Sequence, residues 1–118
     1  MNIIEMNAGE KISYEASETV ISLNAGEIEI DLAARQRDIT VFIDIFWKAD
    51  GELQEESGDA YAANIIIPPW VEREVDTGET DDEGRAIYTK ERDPFDMDNV
   101  TLQLWAILFF LPSAHYHP

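Results

Sequence analysis

The chain contains no cysteine and only two histidines, and its eight basic residues face 25 acidic ones. Without cysteine there are no disulfides, no thiolate metal ligands and no thiol nucleophiles. Both histidines, His115 and His117, fall near the C-terminal end. A Ser-His-Asp arrangement would therefore hang on a terminal segment, and no GxSxG, HExxH, Walker or GxGxxG pattern occurs. The net charge of −17 opposes direct contact with nucleic-acid phosphates or anionic lipid. No long hydrophobic stretch is present either. The longest nearly unbroken apolar run, residues 100–111, spans 12 residues, where a membrane helix needs about 20. Residues 1–9 lack the basic and apolar regions of a signal peptide. A cytoplasmic location is the default expectation, with a virion or non-classical export as other settings.

What is present is enough for one core. A length of 118 residues with 45% apolar side chains predicts a single acidic domain over residues 1–118. About two thirds of the unfolded surface of such a chain is buried on folding.

The apolar period is mostly two. Residues 27–32 (EIEIDL) alternate strictly, which places Glu27, Glu29 and Asp31 on one strand face and Ile28, Ile30 and Leu32 on the other. Residues 38–47 predict the strongest strand. Ile39, Val41, Ile43, Ile45 and Trp47 share its core face, and Phe42 and Phe46 flank Asp44 on the opposite one. Residues 61–67 read as a buried strand stopped by Pro68 and Pro69, and residues 71–75 and 85–90 as the arms of a hairpin. The tetrapeptide Asn-Ala-Gly-Glu occurs at residues 7–10 and again at 24–27, and both copies predict β-reversals. Residues 31–37 and 52–57 could each form one or two helical turns. Eight or nine short strands predict an all-β, antiparallel β-sandwich or jelly-roll-like domain, with a partly closed barrel as the alternative.

Every acid lies within residues 5–98; the last 20 residues carry no Asp, Glu, Lys or Arg. Val100, Leu102, Leu104, Ala106, Leu108 and Phe110 define one face of a final strand. The other face turns from Thr101 and Gln103 to Trp105, Ile107, Phe109 and Leu111, and so needs cover from a second sheet or a second chain.

The chemistry-bearing candidates are oxygen ligands and aromatic anchors. Asp76, Glu79 and Asp81, beside Asp82 and Glu83, could form a calcium loop, although the EF-hand order is absent. Asp93, Asp96 and Asp98 form a second oxygen-rich loop whose structural alternative is a set of Asx turns. His115 and His117 lie on one side of an extended chain, but two imidazoles leave a tetrahedral metal site half built. Asp44 is either a carboxylate in a cleft or a solvated strand residue. Trp70, after the two prolines, is either a strand stop or an exposed anchor for a partner. No cofactor is expected.

These features predict a non-enzymatic interaction or structural module that self-associates, with Trp70, Trp105, Ile107, Phe109 and Leu111 at the interface. A protein partner with a basic surface fits the same charge. Two further classes are an acidic mimic that occupies a nucleic-acid-binding protein and a small cation-binding or carboxylate enzyme. The alternation at residues 27–32 is directly testable by chemical denaturation. Ile30→Asp should cost about 3–5 kcal/mol by burying an unpaired charge, and Glu29→Lys well under about 1 kcal/mol. Equal midpoints would mean that the register is reversed.

Overall fold

The computed structural model describes residues 1–107. Its ten strands are β1 (Asn2–Glu5), β2 (Tyr14–Ser17), β3 (Val20–Leu23), β4 (Ile28–Asp31), β5 (Val41–Trp47), β6 (Leu53–Glu55), β7 (Ala60–Ile67), β8 (Glu72–Thr80), β9 (Ala86–Arg92) and β10 (Thr101–Leu104). A single helical turn, α1 (Leu32–Arg35), follows β4, and a 3₁₀ turn at Met97–Asn99 precedes β10. The fold is all-β.

The strands form three sheets: β1-β10-β7-β5-β6, β2-β3-β4 and β8-β9. All pairings are antiparallel except β1 with β10, which is parallel. The first two sheets share one core. Ile21, Leu23, Ile30 and Leu32 come from the three-stranded sheet and α1, and Ile43, Ile45, Ile65, Ile67 and Leu102 from the five-stranded one. The buried side chains on that inward side are aliphatic apart from Trp47, and each strand's period of two delivers them there. Two hydrogen-bonded links also join the sheets. Leu53 N donates to Glu27 Oε2 at 2.6 Å, and Arg35 forms a two-pronged bond to Glu55 at 2.6 and 3.0 Å.

Several sequence expectations need correction. Ile39 is 58% exposed, because β5 begins only at Val41. Residues 52–57 contain edge strand β6 rather than a helical turn, since Leu53 drops into the core opposite Trp47. Glu27 is exposed but not idle, as its bond to Leu53 shows. Strand β10 ends at Leu104 and residues 105–107 are outside any strand, while residues 108–111 of the expected run lie outside the described residues. Only the second Asn-Ala-Gly-Glu copy reverses a hairpin. It joins β3 to β4 with Asn24, Ala25 and Gly26 all at positive φ. The first copy carries the chain out of the five-stranded sheet toward β2. There Asn7 Oδ1 accepts from Ala106 N at 2.7 Å, because β1 pairs with the distant β10 and leaves nothing to turn back onto. Residues 31–37 do form the expected turn, with Asp31 Oδ1 capping Ala33 N.

The third sheet is an arm. Nearly every residue of β8 and β9 is exposed, and none belongs to the core. A lone two-stranded hairpin is marginally stable in water. This one is supported by three successive opposite-charge cross-strand pairs, Glu72 with Arg92, Arg73 with Glu91 and Glu74 with Lys90. At its root Arg92 lies 3.5 Å from the centre of the Trp70 ring and Arg73 pairs with Asp93 at 3.1 Å.

Gly58 allows the turn between β6 and β7 to pass close to β5. A Cβ there would collide with Phe46 Cβ and lie 2.7 Å from the Trp47 carbonyl oxygen. Gly58→Ala is therefore expected to destabilise the fold by about 1–3 kcal/mol. The urea midpoint should fall at unchanged slope; an unaltered midpoint would show that the turn relaxes freely.

Candidate functional site

The side of the five-stranded sheet that faces away from the core carries three of the exposed large apolar side chains, Ile4, Phe42 and Tyr61. β5 contributes Phe42, Asp44 and Phe46; the register with β7 sets Ile66, Asn64 and Tyr61 beside them. β10 adds Thr101 and Gln103, and β1 adds Ile4. Phe42 is 66% exposed, Ile4 45% and Tyr61 43%.

Tyr61 reaches this side through a β-bulge. Ile45 lies opposite Ala63 but Phe46 lies opposite Tyr61, so Ala62 is an extra residue in β7. Ala62 and Ala63 both bury fully, which their small size permits. Without the bulge the Tyr61 ring would point into the core. With it, Phe46, Tyr61 and Trp105 form a row across three neighbouring chain segments. The ring centroids are 4.9 Å apart for Phe46 and Tyr61 and 5.5 Å for Tyr61 and Trp105, with planes within 25° of parallel. Tyr61 has both ring faces occupied by its neighbours, so the row offers ring edges and not an open platform for a flat ligand.

A polar chain fixes the row. Trp105 Nε1 donates to Asn64 Oδ1 at 2.6 Å, and Asn64 Nδ2 donates to Asp44 Oδ1 at 2.9 Å. Asn64 is the one buried polar residue among those described, and these two bonds satisfy it. Asp44 is thus an orienting acceptor on a half-buried strand position. It is also the only carboxylate in β5, β7 and β10.

The remaining sequence candidates are dispersed. Trp70 is half buried under Arg92 rather than freely exposed, and lines a cleft of about 420 Å³ with Pro68, Asp93 and Phe95. Ile107 packs against the core, and its N–H donates to the Glu10 carbonyl at 2.7 Å. The acidic candidates shape turns. Asp76 accepts from Gly78 N, Asp96 from Asp98 N, and Asp81 from the backbone of both Glu83 and Arg85. The Arg85 N–H holds the Asp81 carboxyl below its ordinary range; desolvation opposes this, and the Glu83 N–H and the Arg85 guanidinium add to it. Asp93 pairs with Arg73, and Asp98 lies 3.8 Å from the amino terminus. Glu79 lies in β8, on the arm. Among the described residues no three His, Asp or Glu side chains converge as a metal site would require. Phe109, Leu111, His115 and His117 lie outside the described residues.

The sequence pairs Phe42 with Phe46 but does not announce Tyr61, because a bulge leaves no mark in the hydrophobic pattern. Asn64 was findable: a lone amide within an otherwise apolar strand, AYAANIII, must have a partner. Asn64→Leu should leave both the indole N–H and the Asp44 carboxylate short of a partner and cost about 1–3 kcal/mol. A denaturation midpoint equal to wild type would show that water replaces the amide.

Comparison with known proteins returns no match for this chain among protein-family models, curated proteins or solved structures.

Proposed function

We propose that this protein is a non-enzymatic structural or interaction module that self-associates. The observation that carries the reading is the outward side of the five-stranded sheet. It combines exposed Phe42, Tyr61 and Ile4 with a single carboxylate, on a chain whose net charge is −17. Large apolar patches on soluble proteins mark contact surfaces, and fixed aromatic side chains supply most of the energy at such contacts. The distribution of acids supports the same reading. They are concentrated on the arm, the turns and the three-stranded sheet, so they suppress contact everywhere except on this side.

Reactive chemistry has no comparable support. The carboxylates that are bonded within the chain go to backbone N–H groups, to Asn24 or Asn64, or to basic groups. The cleft beside Trp70 is walled by proline and aromatic side chains and by the Arg73–Asp93 ion pair, and within it the buried Trp70 Nε1 and Asp93 Oδ1 have no hydrogen-bond partner.

Light scattering coupled to size exclusion tests the reading on the full chain. The expected result is a mass above the 13.4 kDa of one chain that rises with protein concentration. A mass of one chain at every concentration up to the solubility limit overturns it.

A further inference from the structure

We propose that the cleft at the root of the arm is a binding site for a neutral saccharide, held by hydrogen bonds to the Trp70 indole and the Asp93 carboxylate. The proposal goes beyond the self-association reading and does not depend on it, because one chain supplies the whole cleft.

The cleft lies where the body gives way to the arm. Residues 68–71 lead into β8 and residues 93–96 lead out of β9. The Asp93 N–H donates to the Val71 carbonyl at 2.8 Å and joins the two segments. The Trp70 N–H donates to the Arg37 carbonyl at 2.9 Å, and Gln36 Nε2 to the Pro68 carbonyl at 3.0 Å, which anchors the entering segment to the residues after α1. The prolines at 68, 69 and 94 fix φ in both segments, so the walls are stiff. The volume of about 420 Å³ falls within the roughly 300–1,000 Å³ of small-ligand clefts.

Two polar atoms in the wall lack partners. Trp70 Nε1 is shut off from solvent and meets no acceptor, and Asp93 Oδ1 is shut off and meets no aligned donor. Arg73 Nε stands 3.1 Å from that oxygen as an ion pair, but without the alignment of a hydrogen bond. An unmet buried donor and an unmet buried acceptor both cost stability, and a ligand that accepts and donates recovers it. The Arg73 side chain is 67% exposed, so it is free to swing aside and admit one.

A hydroxyl accepts and donates at a single atom. The rest of the cleft suits a ring that carries several of them. Asp96 and Asn99 add a carboxylate and a carboxamide, and Pro68, Pro94 and Phe95 give apolar walls for the C–H faces of such a ring. A peptide unit offers only one donor and one acceptor. Arg92 already lies over the indole at 3.5 Å, so Trp70 contributes its N–H edge and not an open stacking platform. Charge fixes the ligand as neutral. Arg73 and Arg92 offset Asp93 and Asp96 around the cleft, which leaves no local excess to hold an ion. The net charge of −17 repels acidic sugars.

Titration of the ¹⁵N-labelled full chain with maltose, cellobiose, lactose and di-N-acetylchitobiose tests the site through the indole N–H signals of the three tryptophans. At least one of the four should move the Trp70 signal saturably and leave those of Trp47 and Trp105 in place. Asp93→Asn should weaken that binding by about tenfold, and Trp70→Phe, which removes the donor but keeps a ring for Arg92, should do the same. Asp81→Asn, on the arm, should leave it unchanged. No movement of the Trp70 signal with any of the four overturns the proposal. Equal movement with glycerol at the same hydroxyl concentration overturns it too, since that reports on solvent and not on a site. A response to N-acetylproline N-methylamide and to no saccharide makes the cleft a peptide site. Undiminished binding by folded Asp93→Asn and Trp70→Phe places the saccharide elsewhere on the chain.

Discussion

The antiparallel pairing of β5 with β7, with one extra residue at Ala62, is the constraint on which the rest of the molecule depends. On one side of the bulge the two strands hold Ile43, Ile45, Ile65 and Ile67 in the shared core. At the bulge the alternation of β7 resets, which sends Tyr61 outward to stack between Phe46 and Trp105. A regular ladder would have put a phenol into a core built mostly from aliphatic side chains. It would have left Phe46 and Trp105 apart, with the ring between them missing. The bulge needs two small residues that can both be buried, and the sequence supplies Ala62 and Ala63 at that point. Gly58 belongs to the same device, since it lets the incoming chain pass against Phe46 and Trp47.

The acidic charge has two distinct structural uses. Some carboxylates are local fasteners: Asp31 caps α1, Asp76, Asp81 and Asp96 close turns, and Glu27 and Glu55 tie the two sheets together. On the arm, Glu72, Glu74 and Glu91 stand opposite bases and help to support a hairpin that adds no residue to the core. What the carboxylates leave nearly free is the outward side of the large sheet. A single feature, the placing of charge, thus stiffens the local structure and isolates one apolar surface, and the proposed self-association uses the surface so isolated.

Much of the molecule was legible along the chain. Strict alternation identified β4, β5 and the inward side of β10, and the prolines at 68 and 69 marked the end of β7. These features depend on residues adjacent in sequence, and period-two burial records them directly. Residues 52–57 were misread because three residues of edge strand carry too few side chains to show a period. Ile39 was misread because alternation continues past the point at which β5 finds a partner. The aromatic row was half legible: Phe42 and Phe46 could be assigned to the outward side, but Tyr61 could not.

The sequence by itself determined the class of the fold, the identity of most core residues and the confinement of charge to residues 5–98, because each follows from side-chain type and local period. Only the tertiary structure decided which strands are neighbours, that β1 runs parallel to β10, that β8 and β9 stand apart as an arm, and that Asp44, Asn64 and Trp105 join in one hydrogen-bonded chain. Those partners lie 20 and 41 positions apart. Their meeting depends on strand order and on a one-residue shift in register, and neither is encoded in the periodicity of any single segment.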